Sequence, residues 1–124
     1  MKQYVIYCSE EQTRKAIKLG APIEIVKVGE GKPLHYLCSK ENRGYYVIPT
    51  AEQMIGWLEE QYLYITILYT NDVAKHWRAD VDCANCIDPE CGKYLVDFNF
   101  STRKKATIAA IDAALEYLEN NLIK

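Results

Sequence analysis

The sequence predicts an α+β fold: an antiparallel sheet, built as a three-stranded meander with N-terminal strands added, and helices packed on one of its faces. Three observations carry that expectation. Ser9-Glu10-Glu11-Gln12 and Thr50-Ala51-Glu52-Gln53 each have the pattern of a capping box, in which a hydroxyl caps a helix and a glutamine three residues on reaches back. Successive segments between residues 63 and 100 alternate apolar and polar side chains at the period of a half-buried strand. The stretch from residue 103 to 122 repeats apolar residues at the period of a helix.

Taken in order, Tyr4 to Cys8 is rich in β-formers and reads as a short strand. The helix after Ser9 has Glu10 and Glu11 in its first turn and Lys15 and Lys18 near its end, each where the helix dipole favours it, and Gly20 stops it. Its apolar content is modest, which predicts a surface position. Pro22 to Val28 is β-prone. Leu34 to Cys38 and Tyr45 to Ile48 suit a hairpin around Asn42-Arg43-Gly44. The helix opened by Thr50 puts Ala51, Met54, Ile55, Leu58 and Tyr62 on one stripe. Leu63 to Thr70 follows as a strand with Leu63, Ile65, Ile67 and Tyr69 on one face. Trp77, Ala79 and Val81 then alternate with Arg78, Asp80 and Asp82, and Tyr94, Val96, Phe98 and Phe100 with Leu95, Asp97 and Asn99. Ser101 or Thr102 caps the final helix, whose stripe is Ile108, Ile111, Leu115, Leu118 and Leu122.

Residues 50–122 thus read helix, three strands, helix, with both helices on the apolar face of the sheet. Residues 1–48 form a smaller β/α subunit or add strands to the same sheet. No linker, repeat or low-complexity run divides the chain, so residues 1–124 are expected to make one domain.

Composition narrows the function classes. The chain has 124 residues, 49% hydrophobic, and a formal net charge of −2, which argues against nucleic-acid binding by bulk electrostatics but allows a local basic patch. No apolar run approaches the length of a membrane span, and Ser9 to Gln12 interrupts the N-terminal apolar stretch too early for a secretory signal. The default location is cytoplasmic, where the five cysteines are thiols or metal ligands sooner than disulfides.

Three features could carry chemistry. Cys83, Cys86 and Cys91 stand close together in one loop. They could hold zinc if Cys38, His35 or His76 supplied a fourth ligand; otherwise they are thiols in a loop between strands. Arg103, Lys104 and Lys105 begin the last helix, with Glu116 and Glu119 toward its end, against the dipole. A basic cluster at a helix start suits an anion or phosphate; the alternative is a solvated turn screened by salt. The third is aromatic richness, with Tyr45, Tyr46, Trp57, Tyr62, Tyr64, Tyr69, Trp77 and Tyr94 concentrated in the strands and the middle helix; Tyr64, on the face opposite Ile65, is the candidate for an exposed contact in a homodimer. His35 and His76 lie in no recognisable nucleophile or metalloprotease motif, so catalysis is not expected.

Two resemblances follow from these residues. Arg103-Lys104-Lys105-Ala106 with Ala110, Ala114, Leu115 and Leu118, in the order helix, three strands, helix over residues 50–122, resembles double-stranded-RNA-binding domains. That resemblance implies phosphate contacts from Arg103, Lys104 and Lys105. Tyr46-Val47-Ile48-Pro49-Thr50 running into Gln53-Met54-Ile55-Gly56-Trp57-Leu58, followed by Ile65-Thr66-Ile67, Trp77 and an Ala/Leu-rich last helix, is similar to short proteins of gut Bacteroidetes and their prophages. It implies a small accessory protein of a mobile element or its host, and no mechanism. The sequence therefore predicts a non-catalytic accessory or interaction protein, with a nucleic-acid-binding module as the alternative.

Overall fold

A computed structural model of the chain describes residues 5–39, 41, 43–70, 76–83, 93–95 and 100–122, with the backbone alone at 93–95 and 121–122. The elements run α1 (Glu10–Lys18), β1 (Ile25–Lys27), β2 (Tyr36–Ser39), β3 (Gly44–Val47), α2 (Ala51–Glu60), β4 (Leu63–Thr70), β5 (His76–Cys83), β6 (Lys93–Leu95) and α3 (Arg103–Leu122). The fold is α+β and all strand pairs are antiparallel. The strands form two sheets, ordered β1-β3-β2 and β4-β5-β6. The N-terminal strands therefore make a sheet of their own beside the meander. Central β3 has β1 on one side and β2 on the other, so the pairing closes within residues 25–47.

Both capping boxes form as the sequence predicts. Ser9 Oγ accepts from Gln12 N–H while Gln12 Oε1 accepts from Ser9 N–H, both at 3.0 Å. Thr50 and Gln53 repeat the exchange at 3.2 and 2.9 Å. Thr102 caps α3, its hydroxyl accepting from Lys105 N–H at 3.1 Å.

The core lies between the C-terminal sheet and its two helices. Met54 and Leu58 of α2, Leu63 of β4, Ala79 and Val81 of β5, and Ile111 and Leu115 of α3 are all almost fully buried. Small residues widen the buried face of α3 beyond the predicted stripe: Ala106, Ala110 and Ala114 are completely buried, while Ile108 is half-buried. The side chain of Leu122 lies outside the described residues, as do positions 96–99 of the predicted third strand. The described end of that strand joins β5 through Phe100, which exchanges two backbone hydrogen bonds with Trp77 at 2.9 and 3.1 Å.

Two expectations are corrected. The described part of Tyr4–Cys8 makes a single bridge, Tyr7 to Thr50. Its partner segment carries Pro49, which has no N–H, and turns into α2 at Ala51, so no ladder can extend. Tyr62 leaves the α2 stripe, because it turns the chain into β4 with φ +65° and stands 53% exposed. Helix α1 lies on the surface, with Glu10, Glu11, Arg14 and Lys18 exposed, and packs its inner face against α3, where Gln12, Thr13 and Ala16 are fully buried. Its buried face is largely polar, and its polar groups are satisfied inside the protein. Thr13 Oγ1 donates to Ser9 O at 2.9 Å, and Gln12 Nε2 donates to Ile108 O at 2.9 Å and to Asp112 Oδ1 at 2.8 Å.

Candidate interaction surface

Helices cover one face of the C-terminal sheet, so β4 presents both its other face and an outer edge. The pleat sends Leu63, Ile65 and Ile67 toward the helices and Tyr64, Thr66 and Leu68 away from them. Tyr64 is 43% and Leu68 49% exposed. Across β5 their register partners are Asp82 and Arg78, so a polar strand borders an apolar one on the open face. Arg78 Nε donates to Asp80 Oδ1 at 3.2 Å beside them. Near the far end of β4, Tyr69 is 46% exposed and leans edge-on against Trp77, ring centroids 5.1 Å apart.

Strand β4 ends the order β4-β5-β6, so among the described residues its outer backbone groups have no strand partner. Sheet edges are usually protected by shortness, by lysine or proline, or by a bulge. The other edges here follow that rule: β1 has three residues with Lys27, β2 has four, and β6 has three with Lys93. Strand β4 has eight residues, Leu63-Tyr64-Ile65-Thr66-Ile67-Leu68-Tyr69-Thr70, with no charge, proline or glycine, and its register with β5 is continuous. Tyr64, expected as an exposed contact, lies on this surface. Leu68 and Tyr69 were not singled out by the sequence, although the uncharged run from 63 to 70 was the available signal.

Arg103, Lys104 and Lys105 are all exposed in the first turn of α3. Arg103 lines a cleft of about 490 Å³ with Glu52, Ile6, Ile55 and Ile67, whereas Lys104 and Lys105 do not line it. The Lys105 ammonium instead donates to Ser101 Oγ at 3.2 Å. The three cations therefore share a helix turn but not one concave site.

Of the cysteine loop, only Cys83 is described; Cys86 and Cys91 lie outside the described residues. Cys83 ends β5 and accepts a hydrogen bond from the Tyr117 hydroxyl at 3.3 Å. His76 begins the same strand, and seven residues of strand put it about 23 Å from Cys83 at their Cα atoms, too far to share one ion. His35 stacks on Tyr7 beside the N-terminal sheet, ring centroids 3.8 Å apart. Among the described residues, no three His, Cys, Asp or Glu side chains cluster in a way that could hold a metal ion. Cys8 is buried, and burial, helped by the negative charge of Asp112, pushes its thiol up to about 12. It thus stays a neutral, packed thiol at ordinary pH and is no nucleophile.

Fold and surface together define a small α+β protein with one long strand edge that, among the described residues, has no strand partner, charge, proline or glycine. No protein-family model, curated protein or solved structure matches the chain.

Proposed function

We propose that the protein is a non-catalytic interaction module that binds by strand addition at β4, the kind of small accessory protein that its resemblance to prophage-associated sequences implies. The observation that carries this reading is the eight-residue uncharged edge with Tyr64, Leu68 and Tyr69 exposed along it. An added strand gains main-chain hydrogen bonds from the edge, and alternate side chains supply the selectivity. Peptide-library selection on the wild-type protein is the test. Selected binders are expected to be extended, apolar and β-branched, and to lose at least about tenfold in affinity on Leu68→Lys. Binders indifferent to Leu68→Lys would remove β4 as the binding edge.

A second reading rests on the exposed Arg103, Lys104 and Lys105, whose charges add to the positive end of α3. It makes the protein a nucleic-acid-binding module that contacts backbone phosphates. Gel shifts with duplex RNA and DNA would then weaken steeply as salt rises and vanish for the Arg103→Glu, Lys104→Glu double variant. Unchanged shifts in that variant would end this reading.

A further inference from the structure

We propose that the strand added at β4 is β4 of a second copy, giving a two-fold dimer with a continuous six-stranded antiparallel sheet; this rests on the reading of β4 as the binding edge. Strand β4 is close to self-complementary about Thr66. When two copies run antiparallel around a two-fold axis at that residue, Tyr64 stands opposite the second copy's Leu68, Ile65 opposite its Ile67, and Leu63 opposite its Tyr69. Between residues 63 and 69 every opposed pair except Thr66 with itself is apolar, and Thr70 falls opposite the second copy's Tyr62. Aromatic–aliphatic pairs facing each other across a ladder are stabilising, and Thr–Thr pairs are compatible with it. Opposed residues also have the same parity, so this register puts the helix-bearing faces of both copies on one side and both open faces on the other.

Charge fits the same arrangement. Strand β4 contributes none, so pairing sets no charged side chains directly opposite each other across the new seam. On the open face Tyr64 lies beside Asp82, and Leu68 beside Arg78. A row across the joined sheet therefore runs Asp82, Tyr64, the second copy's Leu68, then its Arg78, and the two-fold repeats it in reverse. Those two rows end on opposite charges, while the central row through Thr66 ends on the Asp80 of each copy, a carboxylate that Arg78 of its own copy neutralises at 3.2 Å.

The area sets the size class of the interface. Tyr62, Tyr64, Leu68 and Tyr69 are 43–53% exposed. With about 200 Å² for a whole aromatic side chain, they present on the order of 400 Å². Two copies would bury on the order of 800–1,000 Å², the size of weak, reversible associations. Within that class the affinity is set by packing and hydrogen bonding more than by area, so the association is sought over a wide concentration range.

Analytical ultracentrifugation under reducing conditions, from about 1 to about 300 μM, tests the proposal. The wild-type mass is expected to rise from 14.3 kDa toward twice that value. Thr66 is exposed, so its substitution leaves the core intact. Thr66→Glu would face itself across the two-fold with Asp80, its register partner, on either side, and should weaken dimerisation at least about tenfold. Thr66→Lys alone should also weaken it. An equimolar mixture of the two variants should recover to within about threefold of wild type, because only self-pairing at Thr66 sets the new charges opposite each other. Wild-type protein that stays monomeric throughout, Thr66→Glu chains that dimerise as wild type does, or a mixture that fails to recover would each overturn the proposal. A monomer whose selected peptides still depend on Leu68 would overturn self-pairing and leave β4 as a binding edge. A monomer whose peptides ignore Leu68 would remove both.

Discussion

Replacing Gly44 with alanine is expected to release β1 from the N-terminal sheet and to lower the unfolding free energy by about 2–3 kcal/mol. Gly44 begins the central strand β3, with Lys27 opposite on one side and Ser39 on the other. A methyl group there would run into the Val26 carbonyl oxygen and stand 3.1 Å from the Val26 carbonyl carbon and Lys27 Cα. All three are backbone atoms, so no rotamer change relieves the clash and the strand itself must move. Strand β1 is the part that yields. It has three residues, only Val26 is even half-buried, and it is tied down at its ends by Val28 N–H to Arg43 O at 3.1 Å and Val47 N–H to Glu24 O at 2.9 Å. Because little apolar surface is lost when β1 leaves, the penalty is capped near the value of those pairings instead of growing to that of a core cavity. Urea unfolding should show the midpoint falling by about 1–2 M. Amide exchange should speed up at Val26, Val28 and Val47 while Val81 in the C-terminal sheet keeps its protection. An unchanged midpoint would mean that β1 and β3 do not approach this closely.

Gly44 also marks a limit of what the chain discloses. In the sequence, Asn42-Arg43-Gly44 is the signature of a tight turn, and a hairpin does form there. The residue in the left-handed region is Arg43, φ +45°, while Gly44 serves the approach of a neighbouring strand. Turn chemistry is local and can be read from neighbours; backbone crowding from a strand some twenty residues away cannot. The same division holds elsewhere. The capping boxes, the bounds of β4 and the faces of β4 and β5 depend on contacts within a few residues or on a strict period of two, and they were legible. The inner face of α1 was not, because it is made largely of glutamine and threonine, which a count of apolar residues reads as exposed. At the candidate site, alternation exposed Tyr64, but the significance of Leu68 and Tyr69 depends on β4 being an edge. Edge position is a matter of sheet order, set by the pairing of β5 with β6.

The opposite kind of substitution, one that keeps shape and changes charge, should be the more costly one at Gln12. Gln12→Glu is expected to destabilise the fold by about 3 kcal/mol or more at pH 8, and by far less at pH 5. Gln12 is fully buried and its carboxamide is completely used: the oxygen accepts from Ser9 N–H, and the nitrogen donates to Ile108 O and to Asp112 Oδ1. One side chain thus closes the capping box of α1 and ties that helix to α3. A glutamate of the same shape keeps the first bond and turns the other two into oxygen-to-oxygen contacts, one with a carboxylate. Burial and the Asp112 charge both favour its neutral form, so its folded pKa must lie above the roughly 4.3 of the unfolded chain. The sign follows from that order. Below the unfolded value both states carry the proton and charge costs nothing. Above it the unfolded chain releases its proton first, so the variant's deficit grows by about 1.4 kcal/mol per pH unit until the folded carboxyl ionises too. Gln12→Leu separates charge from hydrogen bonding: it should lose about 1–3 kcal/mol, with no comparable dependence on pH. Adding Asp112→Asn to Gln12→Glu should recover at least about 1 kcal/mol at pH 8, because an amide can donate to the new carboxylate. Urea midpoints at pH 5 and pH 8 for the four proteins measure all of this. A Gln12→Glu deficit equal at the two pH values would show that residue 12 is neither buried nor facing Asp112.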